Sequence, residues 1–327
     1  MKEAAYYEKL EKSRVHCHLC PRECLIADGA RGICRVRSNV GGALYSDIYE
    51  RVLAAHADPI EKKPLYHFHP GSTIFSIGTR GCNQRCRFCQ NWEMIEGDSP
   101  GTRMTSDEVV KMAGRGGSIG VAYTYNEPMI WFEFVLECAG KIRAAGLKNV
   151  MVTNGSVNPE PLEELLPLID AMNIDVKSMD DGFYRKICSS ELAPVLATAR
   201  RARESCHVEI TNLLIPTLND SDELIGELVD FVADLGRDTP LHFSAYYPCY
   251  KMTVEPTPLS TLERAYELAR TRLDHVYLGN VRTLDAGNSC CPRCGGTVVE
   301  RNGYATRVVG LDGDRCSRCG GALPFVV

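Results

Sequence analysis

From about residue 72 onward, the sequence alternates short β-rich runs with longer helical patterns, and this alternation constrains the fold more than any other feature. Strands that alternate with helices pair side by side in a parallel sheet, which the helices cover. The predicted strands are residues 72–79, 119–124, 149–155, 172–178, 207–216, 241–248 and 275–281. The sequence therefore predicts an α/β fold with six or seven strand units.

Three segments between these runs are predicted helices, at 106–113, 129–145 and 222–235. The first begins at Ser106, a residue type that caps helices, and the other two end before glycine. Such a chain can close into a full (β/α)8 barrel, form an open partial barrel or build a doubly wound sheet, and periodicity does not separate these folds. In all three, functional residues lie at the carboxyl ends of the strands.

Composition narrows the class of protein. The 327 residues, 44% of them apolar, suffice for one large domain with smaller appendages. The formal net charge of −5 is spread along the chain without a basic stripe, so nucleic acid is not an expected partner. No apolar run approaches the roughly 20 residues that cross a bilayer, and the first residues lack the apolar core of a signal peptide. We therefore expect a soluble, cytoplasmic protein that does not bind membranes.

Cysteine is the unusual component, with 16 residues, most of them in three clusters. In the reducing cytosol, closely spaced cysteines bind metal more often than they form disulfides. The sequence therefore predicts three metal or cluster sites. The cysteines outside the clusters are expected to be buried small residues or bystanders, and they are Cys138, Cys188, Cys206, Cys249 and Cys290.

The central cluster follows the first predicted strand directly. Cys82, Cys86 and Cys89 form a C-x3-C-x2-C loop that can present three thiolates to one point. An electron-transfer [4Fe–4S] cluster takes four cysteines, whereas three leave one iron open to a small molecule. The alternative is a zinc site completed by His67 or His69.

This loop resembles the cluster loop of radical SAM proteins, C-x3-C-x-aromatic-C, which Cys82, Cys86, Phe88 and Cys89 match. The resemblance implies that S-adenosylmethionine (SAM) binds the open iron and that Phe88 lies beside its adenine. An electron from the cluster then breaks a carbon–sulfur bond of SAM, which gives methionine and a 5′-deoxyadenosyl radical. The three cysteines are the predicted catalytic residues.

Asn126-Glu127-Pro128, after the second predicted strand, looks like a variant of the Gly-Gly-Glu motif that contacts the methionine amino group in this superfamily. Glu127 is then the acceptor for the SAM ammonium, with Asn126 beside it. The chain has Tyr125-Asn126 where the motif has two glycines. The same residues can also cap the following helix, and the two roles can coexist.

Further cofactor contacts are expected at the next two strand ends. Thr153 and Asn154 end the third strand, and Asp175 and Lys177 lie on one face of the fourth by alternation. We assign these residues to the ribose and carboxylate of SAM. A purely structural Asp175–Lys177 ion pair is the alternative.

The sixth strand carries His242, Ser244 and Tyr246 at alternate positions. These side chains are candidates for the wall of a substrate cavity. A hydrogen-bonded core histidine is the alternative role of His242.

The C-terminal cluster consists of two C-x2-C-G turns, Cys291–Cys294 and Cys316–Cys319. Four thiolates in this arrangement suit structural zinc, as in a zinc ribbon, or rubredoxin-type iron, which would relay electrons. The N-terminal cluster, Cys17, Cys20, Cys24 and Cys34, predicts a second Fe–S cluster or a zinc ion. Four ligands leave no open position, so this site is expected to be structural or to conduct electrons. Cys34 is the ligand farthest from the others in sequence.

Several motifs together, including the N-terminal His-Cys-His-Leu-Cys-Pro-Arg-Glu-Cys, Thr-Asn-Gly, Asp-Val-Lys-Ser and Val-Tyr-Leu-Gly-Asn-Val, resemble the AmmeMemoRadiSam system radical SAM enzymes. These are relatives of pyruvate formate-lyase activating enzymes. The resemblance covers nearly the whole chain. It implies a partial (β/α)6 barrel at 71–286, an N-terminal four-cysteine segment and extension at 1–70, and a C-terminal module at 287–327.

The same resemblance implies an electron donor of the flavodoxin or ferredoxin class, and a functional link to Memo-like and AMMECR-like proteins. Two other functions remain open: activation of a glycyl-radical partner protein, and a non-catalytic Fe–S electron carrier. A zinc-ribbon nucleic-acid binder is disfavoured by the acidic net charge. The substrate, a small molecule or a protein, is not defined by the sequence.

Overall fold

The computed structural model of the protein describes residues 1–281 and 287–327. Its main feature is an eight-stranded sheet. We number its strands β1 (Ala54–Pro59), β2 (Thr73–Gly78), β3 (Ser118–Tyr123), β4 (Lys148–Thr153), β5 (Ala171–Asp175), β6 (His207–Leu214), β7 (Leu241–Ala245) and β8 (Val276–Gly279). Strands β2 to β8 are the seven predicted strands, which are confirmed to within a few residues at their ends.

The strands follow one another in the sheet in chain order, and β2 to β8 are all parallel. Only β1 runs antiparallel, against β2. A doubly wound sheet requires a reversal of strand order, and this sheet has none, so that alternative is excluded. Within the described ranges no ladder joins β1 to β8, so the sheet is open.

One helix or helical segment covers each crossover between the parallel strands. The crossover helices are Ser106–Ala113, Phe132–Ala144, Pro159–Leu165, Leu192–Arg203, Asp222–Leu235 and Leu259–Arg270. Shorter helical turns are Ile60–Lys62, Trp92–Glu96, Pro128–Trp131, Leu166–Leu168, Asp181–Phe183 and the π-type turn Tyr184–Cys188. The apolar faces of the crossover helices form the main core with the outer face of the sheet.

The first crossover helix is capped by a different residue from the one predicted. Its N-cap is Thr105, not Ser106: the Thr105 hydroxyl accepts from the Glu108 amide, and the Glu108 carboxylate accepts from the Thr105 amide. This reciprocal pair is a capping box. Ser106 instead donates to Glu137 at 2.6 Å and so links two helices. The predicted helix at 129–145 likewise begins later, at Phe132, after the Pro128–Trp131 turn.

The segment between β1 and β2 lies across the inner face of the sheet. Ile60, Leu65 and Phe68 form a small core with inward residues of β2 to β5. The backbone amides of Tyr66 and His67 donate to the Glu209 carboxylate of β6. This segment therefore spans the inner face of the sheet from β2 to β6.

The N-terminal region consists of short antiparallel strands: Lys2–Glu3, Tyr7–Lys9, Val15–Cys17, Cys24–Ile26, Arg37–Val40, Ala43–Ser46 and Arg51–Val52, the last pairing with Thr102–Arg103. β1 precedes residue 71, so the predicted boundary at 70 falls between two strands of one sheet. The other predicted boundary, at 286, lies outside the described residues.

The C-terminal module also consists of short strands: Ser289–Cys290, Thr297–Asn302, Ala305–Val308, Leu311–Asp312 and Arg315–Cys316. Its last residues return to the segment between β1 and β2, where Phe325 stacks on His67 at 4.0 Å and Val326 exchanges backbone hydrogen bonds with His67 and His69. The module is therefore docked on the segment between β1 and β2. No helix in the described parts of the chain is long and apolar enough to cross a membrane.

Candidate active site

A cavity of about 590 Å³ opens at the carboxyl ends of the parallel strands. Parallel strands bring their carboxyl ends to one edge, so residues far apart in sequence meet there. The cavity brings together every residue that the sequence predicts for the cluster and for SAM, namely Cys82, Cys86, Phe88, Cys89, Asn126, Glu127, Thr153, Asn154, Asp175 and Lys177.

The cysteine loop leaves β2 and is tied down on both sides. The Arg85 and Arg87 amides donate to the carbonyls of Cys188 and Ile187, at 2.8 Å and 3.0 Å. Asn126 holds the start of the loop, since its side chain accepts from the Thr79 amide and donates to the Gly81 carbonyl at 2.9 Å. The loop is therefore fixed by its neighbours rather than free to rearrange.

The three thiols are buried or half-buried and face one cavity. Burial raises the pKa of Cys89 to about 11, so iron must displace a proton to bind there. Cys82 already accepts from the Gln84 amide at 3.4 Å and the Asn154 side chain at 3.7 Å, as a cluster thiolate does. This donor set fits an iron–sulfur cluster.

The zinc alternative for this loop is not supported. Among the described residues, the three thiols do not meet at the spacing of ligands to a single ion, either by themselves or with His67 or His69. His67 is buried elsewhere, with its Nε2 atom 2.5 Å from the Tyr277 hydroxyl. Neither histidine is therefore in place to be the fourth ligand of a zinc ion at this loop.

Glu127 is the most constrained carboxylate of the cavity. Its Oε1 atom accepts from the Met129 amide at 3.0 Å and the Thr153 hydroxyl at 2.8 Å, and its Oε2 atom accepts from the Asn154 amide at 2.7 Å. Burial raises its pKa to about 7 despite these donors. Glu127 both caps the Pro128–Trp131 turn and faces the cavity, so the two predicted roles coexist in position.

Asp175 and Lys177 form an ion pair of 2.9 Å on the cavity wall, as alternation predicts. Burial acts to lower the pKa of Lys177, but Asp175 and the nearby thiols outweigh it and hold the pKa well above its usual value. The ammonium also lies 5.8 Å from the centre of the Phe88 ring. A cation, an anion and an aromatic face therefore lie together beside the cysteine loop.

Of the three side chains predicted for the substrate wall, two line the cavity and one does not. His242 and Ser244 line the cavity, and the His242 Nε2 atom lies 2.6 Å from the Glu209 carboxylate. Tyr246 does not line it: this side chain is buried, and its hydroxyl donates to the Met252 carbonyl. β7 ends at Ala245, so the alternation that placed Tyr246 inward stops one residue before it.

Several residues line the cavity although nothing in the sequence predicts that they do. Glu61, Lys63 and Tyr66 come from the segment between β1 and β2, and Tyr304 comes from a hairpin turn of the C-terminal module. None lies at the end of a predicted strand, and only the folded arrangement brings them to the site. The segment between β1 and β2 and the C-terminal module thus contribute to one cavity.

Two cysteines expected to be bystanders lie against the cluster loop. The Cys188 thiol is beside Cys86, and this contact together with burial raises the pKa of Cys86 well above its usual value. Cys249 points its thiol at the Cys89 carbonyl, at 3.6 Å. Cys138 is a buried core residue as predicted, and Cys290 is exposed.

The N-terminal cysteines Cys17, Cys20, Cys24 and Cys34 surround one small apolar cavity. Cys34 belongs to the group despite its sequence distance, because a Cβ built on Gly32 would lie 3.7 Å from the Cys24 sulfur and 3.8 Å from the Cys34 sulfur. Burial raises the pKa of Cys20 to about 12. Asn83 of the cysteine loop also lines this cavity, so the two cysteine sites are neighbours.

The C-terminal cysteines converge more tightly. Cys291, Cys294, Cys316 and Cys319 offer sulfurs that all lie within 4.8 Å of one another. Two of the pairs, Cys291–Cys319 and Cys294–Cys316, are each 3.7 Å apart. A tetrahedral ion with metal–sulfur bonds of about 2.3 Å needs sulfurs about 3.8 Å apart. This geometry fits a single tetrahedral metal ion, and zinc and iron share it.

Comparison with known proteins agrees with the site. The family model described as the radical SAM superfamily matches residues 76–232. An uncharacterized protein of Methanocaldococcus jannaschii is 44% identical over 336 residues, covering 100% of both chains. The pyruvate formate-lyase-activating enzyme of Listeria monocytogenes is 27% identical over 212 residues, which cover 59% of this chain and 84% of that enzyme.

The matched segment begins in β2 and includes the cysteine loop, Glu127 and the Asp175–Lys177 pair. The chain belongs to the radical SAM superfamily and is homologous to pyruvate formate-lyase activating enzymes. Membership of this superfamily implies that the chain binds a [4Fe–4S] cluster and SAM. It also indicates that the protein is an enzyme.

A solved structure shows the same fold. The radical SAM methyltransferase from Sphaerobacter thermophilus aligns with a TM-score of 0.52 and 17% identity, covering 70% of this chain and 71% of the other. At this identity the likeness concerns the fold alone, a mixed α/β radical SAM fold.

Proposed function

We propose that this protein is a radical SAM enzyme in which Cys82, Cys86 and Cys89 hold a [4Fe–4S] cluster with one open iron. The observation that carries the proposal is that these thiols share one cavity with Glu127 and Lys177, at the carboxyl edge of the sheet. Three cysteine ligands and a polar cavity beside them suit a cluster that binds a small molecule.

When bound, the cluster supplies the electron that cleaves SAM to methionine and a 5′-deoxyadenosyl radical, which abstracts hydrogen from a substrate. The Thr153 hydroxyl and Asn154 amide keep the Glu127 carboxylate in place, and this carboxylate would accept the ammonium of SAM. Lys177 would pair with the SAM carboxylate, and Asp175 would accept from the ribose hydroxyls. Phe88 would pack against the adenine.

The sheet supports the proposal of a partial (β/α)6 barrel. Six crossovers join its seven parallel strands, and the segment between β1 and β2 contacts Glu209 of β6, His242 of β7 and Tyr277 of β8. Contacts from one segment to these three strands, as well as to β2, favour a sheet that curls around the segment. The C-terminal module is then a zinc-ribbon-like unit whose four cysteines hold zinc, or iron as in a rubredoxin.

The substrate is either a small molecule or a glycine of a partner protein. The remaining cavity lining is polar, with Tyr66, Thr211, His242 and Ser244 offering hydrogen bonds, and Tyr304 of the C-terminal module adds a further wall. This supports a small polar molecule. The homologous activating enzymes support the protein substrate. A small molecule is expected to protect Tyr304 from chemical modification, whereas a partner protein should form a complex that gel filtration detects.

The electron for the cluster comes from a donor of the flavodoxin or ferredoxin class in a cytoplasmic setting, and Memo-like and AMMECR-like proteins are candidate functional partners. The N-terminal cysteines would hold a second Fe–S cluster or zinc. Asn83 supports a conducting role, because it lines the N-terminal cavity and also accepts from Asn154, which donates to Cys82.

The test is anaerobic reconstitution of the full chain followed by dithionite and SAM. The wild type is expected to form 5′-deoxyadenosine, Cys86→Ala to form none, and the exposed-cysteine control Cys290→Ala to match the wild type. A wild type that carries its full complement of iron and sulfide and forms no product refutes the proposal. A non-catalytic electron carrier instead predicts that Cys86→Ala keeps most of the electron-transfer activity through the outer sites.

A further inference from the structure

The N-terminal strands place two kinds of side chain on opposite faces of one small sheet. In the strand Val15–Cys17, the alternate residues Val15 and Cys17 are buried, while His16 points the other way. Glu8 lies directly opposite His16 on the neighbouring strand. Cys17 therefore faces the buried cysteine site, whereas His16 lies on the opposite face of the sheet beside Glu8. His18 follows by the same alternation and joins this second group of side chains.

This second group is compact. The Glu8 Oε1 atom lies 3.2 Å from His16 Nδ1 and 3.6 Å from His18 Nε2. The two imidazole rings are 4.0 Å apart between centroids. One ligand atom from each of the three residues lies within 4.8 Å of the other two. Tetrahedral zinc with bonds of about 2.0–2.2 Å to nitrogen and oxygen needs ligand atoms roughly 3.3–3.6 Å apart.

A second carboxylate occupies the far side of both rings. The Glu23 Oε2 atom lies 3.0 Å from His16 Nε2 and 2.9 Å from His18 Nδ1, the nitrogens that do not face Glu8. Glu23 is fixed in turn by Asn158, whose side chain donates to its Oε1 atom at 2.5 Å. Histidines that bind metal usually donate their other ring N–H to a carboxylate in this way.

The arrangement around the two rings suits a bound ion. Each ring has one nitrogen facing a Glu8 oxygen and the other facing a Glu23 oxygen. The rings are tilted by 58° to each other, and one nitrogen of each faces the same Glu8 oxygen. An ion between Glu8 and the rings would bind these two nitrogens through their lone pairs, and the other nitrogen of each ring would donate to Glu23.

We propose that Glu8, His16 and His18 bind one divalent transition-metal ion of the zinc type, with Glu23 orienting both histidines. The side chains are 57%, 23% and 37% exposed, so the fourth position of the ion is open to solvent. Bound there, the ion crosslinks two strands of the N-terminal sheet, and Glu23 connects it through Asn158 to the barrel. The site stands apart from the proposed radical chemistry and does not depend on it.

The experiment measures zinc bound per full-length chain, by elemental analysis after equilibration with zinc alone and desalting. His16→Ala and the milder Glu8→Gln are expected to bind one equivalent less than the wild type at low micromolar zinc. His56→Ala, which removes an exposed histidine on β1, is the control and is expected to keep the wild-type stoichiometry. Equal stoichiometry in the wild type and both site variants would overturn the proposal.

Glu23→Gln tests the orienting role separately. Loss of such an outer carboxylate typically weakens metal affinity about 10–100-fold, so the zinc titration midpoint should shift by that factor while the stoichiometry at saturation is kept. Circular dichroism of the metal-free variants checks that each remains folded. An unchanged midpoint in a folded Glu23→Gln chain would contradict the assignment of Glu23.

Discussion

Gly81 lies where the cysteine loop meets the N-terminal cysteine segment. Its φ angle is +85°, and a Cβ there would lie 2.7 Å from the Cys34 carbonyl oxygen and 2.7 Å from a Val36 methyl group. Both the left-handed backbone and the lack of space require glycine. The cluster loop and the N-terminal cysteine segment are therefore packed so closely that neither can shift alone.

Gly81→Ala is predicted to lower both stability and iron incorporation. Gly116 offers a matched control, since its φ is +65° but nothing lies within 4 Å of a built Cβ. Gly116→Ala should lower the free energy of unfolding by the cost of its left-handed backbone alone, about 1–2 kcal/mol. Gly81→Ala should lower it by more, because neighbouring atoms must also move. Urea unfolding and iron content report the difference, and equal losses for the two variants would contradict the packing argument.

The buried His275 is predicted to make the stability of the fold depend on pH. Burial lowers its pKa from 6.5 to about 4, beside His67 at 4.4 Å between ring centroids. The unfolded chain binds the proton more readily, so the contribution of His275 is intact above pH 6.5 and is lost as the pH falls toward 4. It amounts to about 3 kcal/mol at most. His275→Phe should flatten this part of the urea-unfolding profile between pH 7 and pH 4.5, and an unchanged profile would argue against it.

At the scale of elements, Glu209 joins β6 to the segment between β1 and β2. Its Oε1 atom accepts from the His67 amide at 2.7 Å, and its Oε2 atom accepts from the Tyr66 amide at 3.0 Å. His207 and His242 also contact the carboxylate, at 2.9 Å and 2.6 Å. This buried carboxylate therefore holds the floor of the cavity in place.

Glu209→Gln is predicted to destabilise the fold by roughly 3 kcal/mol, because the amide nitrogen cannot accept and leaves buried donors unpaired. Glu163→Gln is the control: Glu163 pairs with Arg201 on the surface, where removal costs less than about 1 kcal/mol. Chemical denaturation of both variants measures the contrast. A loss at Glu209 no larger than at Glu163 would show that the carboxylate is not a structural element.

The sequence predicts the seven parallel strands because each is a run of apolar and β-branched residues. It misses β1, Ala-Ala-His-Ala-Asp-Pro, which has no β-branched residue and is a strand only because β2 pairs with it. The helices Pro159–Leu165, Leu192–Arg203 and Leu259–Arg270 also escape prediction. Leu259–Arg270 buries Leu262, Ala265 and Ala269, which are three or four residues apart, so its helical period is present in the sequence and the prediction overlooks it.

The same contrast holds for the site. Residues at strand ends, such as Glu127 and Lys177, are predictable because parallel strands end at one edge. Tyr304, Cys188 and the partners of His16 are not, because their positions depend on how loops and modules fold back over the sheet. Tyr246 shows the limit of alternation, which holds only as far as the strand extends.

At the scale of the whole molecule, the C-terminal module connects the open side of the sheet to the segment between β1 and β2. Arg301 donates to the Tyr66 carbonyl at 2.6 Å and to Ser289, which bonds the Tyr277 hydroxyl of β8 at 2.7 Å. The module also contributes Tyr304 to the cavity. The four cysteines of the module therefore bear on the shape of the cavity as well as on the folding of the module.

If the four C-terminal cysteines hold the proposed metal, its removal is predicted to release the module while the parallel sheet stays folded. A small core of six buried residues cannot hold these strands unaided, and structural metal supplies folding free energy directly. Cys294→Ser should lose one metal equivalent, and limited proteolysis should then cut within residues 287–327 first. Cys290→Ala is the control. A metal-free variant as protease-resistant as the wild type would contradict this dependence.

The open iron at Cys82, Cys86 and Cys89 is the central claim, and electron paramagnetic resonance of the reduced cluster tests it most directly. In the dithionite-reduced wild type, adding SAM is expected to change the cluster signal, because SAM becomes a ligand of one iron. In Cys86→Ala, any signal that remains belongs to the outer sites and should not respond to SAM. A wild-type cluster, fully loaded with iron and sulfide, whose signal is the same with and without SAM would contradict the account.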